Sequence, residues 1–145
     1  MGLFDALTTS ASGLSAQRLR MNLISDNLAN VNTTRTATGR PFQRKEPVFE
    51  AQAADGSFRH ALGRAISADM TLVEVVDIVP DNRPPVYKYD PGHPDADAKG
   101  YVAMPNIQAI EEMVNMMSAS RSYEANVSAI KTIKDMIHKA MEIGR

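Results

Sequence analysis

The stretch PNIQAIEEMVNMMSASRSYEANVSAIKTIKDMIHKAMEIG, residues 105–144, decides how the chain is read. Within it Met116, Tyr123, Ile130 and Ile137 recur every seven residues, flanked by Met113, Val127 and Met141. A seven-residue repeat lays a narrow apolar stripe along one side of a helix, the geometry of a coiled-coil seam. Pro105 fits the first helical position, where its missing N–H costs nothing. Glu111 and Glu112 near the start, and Lys131, Lys134, His138 and Lys139 near the end, match the helix macrodipole. Gly144 is placed to stop the helix. From Pro105 to Ile143 the rise of ~1.5 Å per residue gives a length of roughly 58 Å. A helix that long cannot be covered by its own small domain.

The opposite end repeats the theme more weakly. Leu7, Leu14, Met21 and Leu28 recur every seven residues, and Leu3, Ile24 and Val31 take the alternate position, where Ser10 and Gln17 interrupt it. Gly13, several Ser and Thr, and Asn22, Asn27, Asn30 and Asn32 have modest or poor helix propensity. Such a helix needs a partner to hold it. The run from Asn27 to Asn32 suits a cap or turn at its end.

The middle differs from both ends. All 8 prolines lie between Pro41 and Pro105, with Phe42, Phe49, Phe58, Tyr87, Tyr89 and Tyr101 among them. Leu72–Val79 (LVEVVDIV) and Val86–Tyr89 (VYKY), separated by the turn-rich Pro80–Pro85, read as a hairpin-like pair of strands. Pro47-Val48-Phe49 and Gly56-Ser57-Phe58 suggest one or two more. Arg35, Arg40 and the run Phe42–Lys45 read as a solvated basic loop. The fold class is therefore α+β: long N- and C-terminal helices, each with a coiled-coil-like seam, on either side of a small β-rich middle. The boundaries are 1–34 for the N-terminal helix, 35–100 for the middle and 101–145 for the C-terminal helix.

Composition removes most kinds of chemistry. With 145 residues, 16 basic against 17 acidic, and a net charge of −1, the chain lacks the basic excess that nucleic-acid backbone binding requires. It has no cysteine, so disulfides, thiolate catalysis and Cys-ligated zinc are excluded together. No apolar stretch reaches the length of a membrane span, and the first twenty residues lack the pattern of a cleavable secretory signal. Asp95 to Gly100 imitates the opening of an EF-hand loop. However, Lys99 occupies a ligand place and Asn106 stands where the bidentate Glu belongs, so a proline-pinned turn is the better reading. His60, His93 and His138 are too scattered for a zinc site. There is no G-x-S-x-G, P-loop or G-x-G-x-x-G, and no catalytic site, metal or cofactor is expected. The methionine row between Met104 and Met141 suits either helix packing or an adaptable binding groove. The two readings converge if the packing is between subunits, which makes this an assembly protein.

Two blocks then carry a resemblance. Ser12-Gly13-Leu14-Ser15-Ala16-Gln17-Arg18-Leu19-Arg20-Met21, followed by Asn27-Leu28-Ala29-Asn30-Val31-Asn32-Thr33-Thr34, resembles the N-terminal signature of the bacterial flagellar axial proteins. Tyr89–Pro94, Gly100–Ile107, Glu112–Val114 and Ser118–Val127 are similar to the basal-body, proximal-rod branch of that family. The resemblance implies a structural subunit of the flagellar rod, the driveshaft from the membrane motor to the hook, in which the N- and C-terminal helices pair as an inner coiled-coil-like domain and the β-rich middle packs outside it. It implies export through the flagellar type III apparatus without a cleaved signal, then helical polymerisation across the periplasm. The implied partners are other rod subunits and the export/MS-ring junction, with no nucleic acid and no small-molecule substrate. The residues expected to carry assembly are Leu7, Leu14, Met21, Ile24, Leu28, Val31, Met113, Met116, Tyr123, Val127, Ile130 and Ile137. The family motif maps onto Gly13, Asn27, Leu28, Ala29, Asn30, Pro105 and Asn106. The competing readings are another rod or hook subunit and, from a different class, a cytoplasmic coiled-coil adaptor or export chaperone.

Overall fold

The computed structural model describes residues 2–53 and 71–143. The Gly56–Phe58 strand, His60 and the Gly144 stop signal lie outside the described residues. Two long helices bracket two short antiparallel ladders: α1 (Leu3–Ala29), β1 (Lys45–Ala53), β2 (Thr71–Pro80), β3 (Val86–Tyr89), β4 (Tyr101–Met104) and α2 (Ala109–Ile143). This is the α+β architecture expected from the sequence.

Helix α1 accommodates its hydroxyl-rich sequence by local bonding. The hydroxyls of Thr8, Ser10 and Ser15 donate to carbonyls four residues back, and that of Ser12 to the carbonyl of Thr9. Each polar group is thereby satisfied on the helix itself. The Asp5 carboxylate accepts the Gly2 N–H at 2.6 Å and closes the first turn. At the other end Asn30 is the cap, with its backbone N–H and side-chain amide both donating to the Asp26 carbonyl.

Helix α2 begins at Ala109, not at Pro105 as the spacing predicted. Tyr101–Met104 is committed to a ladder with Val86–Tyr89, so the chain enters Pro105 already extended. Pro105 and Ile107 are then buried as packing residues, and the Gln108 carbonyl accepts the Glu112 N–H at 3.0 Å to open the helix. The 35 residues of α2 span roughly 52 Å.

The ladders also differ from expectation. Leu72–Val79 and Val86–Tyr89 do not pair with each other. β2 pairs with β1, from Lys45↔Pro80 to Ala53↔Thr71 with a bulge at Val48/Phe49, and β3 pairs with β4. The reason lies between them: Pro80, Pro84 and Pro85 have no N–H to offer a ladder. Asp81 meanwhile turns the chain by accepting the Arg83 N–H at 2.9 Å and donating its own N–H to the Arg44 carbonyl. β1, which continues the basic loop, supplies the full-length partner instead.

The two helices run antiparallel. Asn27 meets Glu112, and Gly13 meets Asn126, whose amide would lie only 3.0 Å from any Cβ added at Gly13. Between them sit Ala16, Leu23 and Ile24 of α1 with Ala119 and Ile133 of α2, while Val102 of β4 and Ile107 before α2 are also buried. The β1–β2 ribbon lies lengthwise on α1. Its root is at Lys45 beside Asn27, and further along the Val73 N–H donates to the Ser12 hydroxyl. Residues 12–27 of a helix and 45–51 of a strand both cover about 20 Å, which is why the two tracks stay together.

Candidate assembly surface

The innermost row of α2 is Glu112, Ala119, Asn126 and Ile133, with Ala119 at 0 % exposure. It also repeats every seven residues, one helical step from the predicted row. Met116, Tyr123, Ile130 and Ile137 form the adjacent row and are half-buried, so they line the edge of the seam. On α1 the same division appears. Ala16, Leu23, Ile24 and Asn27 are buried, while Leu7, Leu14, Met21 and Leu28 are half-buried, as is Val31 just beyond the helix. Of the residues expected to carry assembly, Ile24 is therefore enclosed within the chain, and Met113 and Val127 are open to solvent. The others keep one side covered and one side free.

Further apolar groups stand outside these rows. Ile110, Val114 and Met117 accompany Met113 on the outer face of α2, and Met136 and Met141 lie near its end. Phe4, 75 % exposed, caps the tip of α1. On the ribbon Val48, Phe49, Val73, Val76, Ile78 and Val79 are all exposed. Apolar side chains left uncovered in this way make a candidate interaction surface.

One end of the helix seam is polar. Asn27 and Glu112 are each 1 % exposed. The Asn27 amide nitrogen donates to the Glu112 carboxylate at 3.1 Å and to the Lys45 carbonyl at 2.9 Å, while its oxygen accepts the Lys45 N–H at 2.9 Å. The Arg44 guanidinium donates from Nε to the other Glu112 oxygen at 2.8 Å and from a terminal nitrogen to Glu46 at 3.0 Å. Burial pulls the Arg44 pKa down, but the hydrogen bond and charge of Glu112, then those of Glu46, outweigh it and leave the pKa raised. Arg44 was grouped with a solvated loop and Glu112 with the helix dipole. Asn27 reads from sequence only as a motif residue and as part of a terminal cap or turn, whereas it lies buried inside the helix and Asn30 is the cap.

The remaining motif residues are spread along the helix pair and its two approaches. Gly13 allows close approach to Asn126, Asn30 caps α1, Pro105 is buried and Asn106 half-buried, and Ala29 is exposed. In the Asp90–Gly100 turn two of the acidic groups are engaged, one by the segment after α1 and one by the loop itself. Asp95 accepts from Thr34 at 2.7 Å and lies 3.8 Å from Arg35, and Asp97 accepts the N–H groups of Lys99 and Tyr101 at 2.8 Å. Such bonds pin a turn and leave those oxygens committed to the fold.

An antiparallel helix pair with apolar rows on its flanks, carrying a β-rich insert, is the build of an axial assembly subunit. Two family models agree in class: residues 7–35 match one described as "Flagella basal body rod protein", and residues 98–143 match one described as "Flagellar basal body rod FlgEFG protein C-terminal". Relatives narrow it. The chain is 41% identical to the flagellar basal-body rod protein FlgC of Escherichia coli O6:H1, over 100% of both chains. It is 42% identical to that of Bacillus subtilis, again over 100% of both, and 41% identical to that of Borreliella burgdorferi over 99% of this chain and 98% of the relative. The chain belongs to the FlgC family of flagellar basal-body rod proteins and is a structural subunit of that rod.

Proposed function

We propose that this subunit polymerises through its terminal helices into the proximal rod and transmits motor torque as part of a helical driveshaft. The observation that carries the reading is the double role of the seam: Leu7, Leu14, Met21, Leu28, Met116, Tyr123, Ile130 and Ile137 are each half-covered within the chain and half-open beyond it. A head-to-tail contact between such rows does not close on itself, so it generates a filament rather than a ring. Close-packed seams also resist shear better than loops. The partners are other rod subunits and the junction with the export apparatus and MS ring, reached by type III export without a cleaved signal. The role is structural and involves no catalysis. Replacing Leu14→Asp and Ile130→Asp, one per helix, tests it: basal bodies isolated from cells carrying either variant should lack the chain, and the cells should not swim. Normal swimming in both strains would remove the seam from the assembly.

A further inference from the structure

Among the described residues Glu112 is the one buried carboxylate, and its partners come from distant parts of the chain: Asn27 in α1 and Arg44 at the root of the ribbon. We propose that Asn27, Arg44 and Glu112 are positioning residues that make helix pairing and ribbon docking one event, and so fix where the β-ribbon stands on the helix pair in the assembled subunit. The inference rests on the rod-subunit reading. Its logic is electrostatic. If α1 and α2 closed while the ribbon root stayed away, Glu112 would be buried in the seam with an amide for company and no cation. A buried charge that has lost its partner is strongly disfavoured. The helices therefore close in register when Arg44 arrives, and the ribbon is carried in by the same step.

Asn27 gives the device its geometry. Its oxygen and one amide hydrogen bond the N–H and carbonyl of Lys45, and the second hydrogen goes to Glu112. A carboxamide alone among side chains of this size supplies one acceptor and two donors in that plane. Aspartate would lack both donors and would set a second negative charge beside Glu112. A slip of α2 by one turn would carry Glu112 away from both partners, so the latch also selects the register.

The test compares chains recovered in isolated basal bodies. Arg44→Met should lower the incorporated amount at least about tenfold, because Glu112 is left charged with only the Asn27 amide and no cation beside it. Adding Glu112→Met to that variant removes the stranded charge and should restore most of the incorporation. In the restored rods trypsin should cut after Lys45 faster than in wild type, because the ribbon root has lost its charged anchor. Two results overturn the latch: Arg44→Met incorporated like wild type, or the double variant no better than the single one. If the wild-type chain itself is missing from basal bodies while the other rod proteins are present, the rod reading falls and the latch falls with it.

Discussion

The helix pair hides Ala16, Leu23, Ile24, Ala119 and Ile133, whereas the β1–β2 ribbon leaves Val48, Phe49, Val73, Val76, Ile78 and Val79 in solvent. The difference is one of layers. Two helices can close on each other along a single line, so a narrow row of side chains is enough to make a seam. A two-stranded ladder has no second sheet to cover its faces and is marginal by itself. This ribbon is held at its root by Asn27 and Arg44 and along its length by contacts such as that of Val73 with Ser12. The lesson is that apolar residues in the two regions do different work. Those of the seam stabilise the subunit, and those of the ribbon contribute little until something covers them.

That contrast can be broken by paired substitutions. Ile133→Ala should lower unfolding free energy by about 2–4 kcal/mol, since it opens a cavity in the seam. Val76→Ser on the ribbon should change it by less than about 0.5 kcal/mol. Denaturant titration of the two variants checks this, and equal losses would mean that the ribbon is a core element after all. Next in size is Gly100→Ala. Gly100 sits at φ +81°, and a Cβ there would lie 2.9 Å from the Tyr89 ring and 3.2 Å from Pro91. A loss of about 1–2 kcal/mol is expected, concentrated in the β3–β4 ladder and visible as faster amide exchange there than in α1.

A gain sharpens the comparison from the other side. The Gln17 side-chain oxygen is buried with no hydrogen-bond partner among the described residues, at a position where the heptad of α1 is interrupted. Gln17→Met removes the unmet polar group at similar length and should stabilise the chain by about 1 kcal/mol, raising its thermal midpoint. Smallest is the surface pair at the end of the ribbon. The side-chain and backbone hydrogen bonds from Arg83 hold the Asp81 carboxyl below its ordinary pKa. Because the folded value lies below the unfolded one, the stabilisation is present above about pH 4 and is lost as pH falls through the lowered folded value. Arg83 reaches into solvent, so screening by water keeps the worth of the pair small. Asp81→Asn should therefore cost little at pH 7 and progressively less as pH falls through that lowered value, in matched denaturant titrations.

Much of this organisation was readable from residue order. The heptads placed both helices, the prolines set off the middle, and β-branched runs located β2 and β3. What went astray was partner choice. Val86–Tyr89 carries no mark that it belongs with Tyr101–Met104 rather than with Leu72–Val79, because strand pairing is decided across space and by which segments still have N–H groups to share. Pro105 reads as a helix start because a missing N–H costs nothing at the first helical position. The neighbouring ladder, invisible in the local sequence, holds it extended. The innermost helix row was missed because it opens on Glu112 and passes through Ala119 and Asn126, residues that a search for apolar spacing gives little weight.

The sequence by itself determined that two long helices, each with a repeating apolar row, would flank a β-rich insert, since periodicity and length are local properties. Only the tertiary structure decided which row faces inward, which strands pair, and that Arg44, Asn27 and Glu112 meet. Those choices turn on a buried charge finding its counterpart across 68 residues of chain, a matter of distance in space that residue order does not encode.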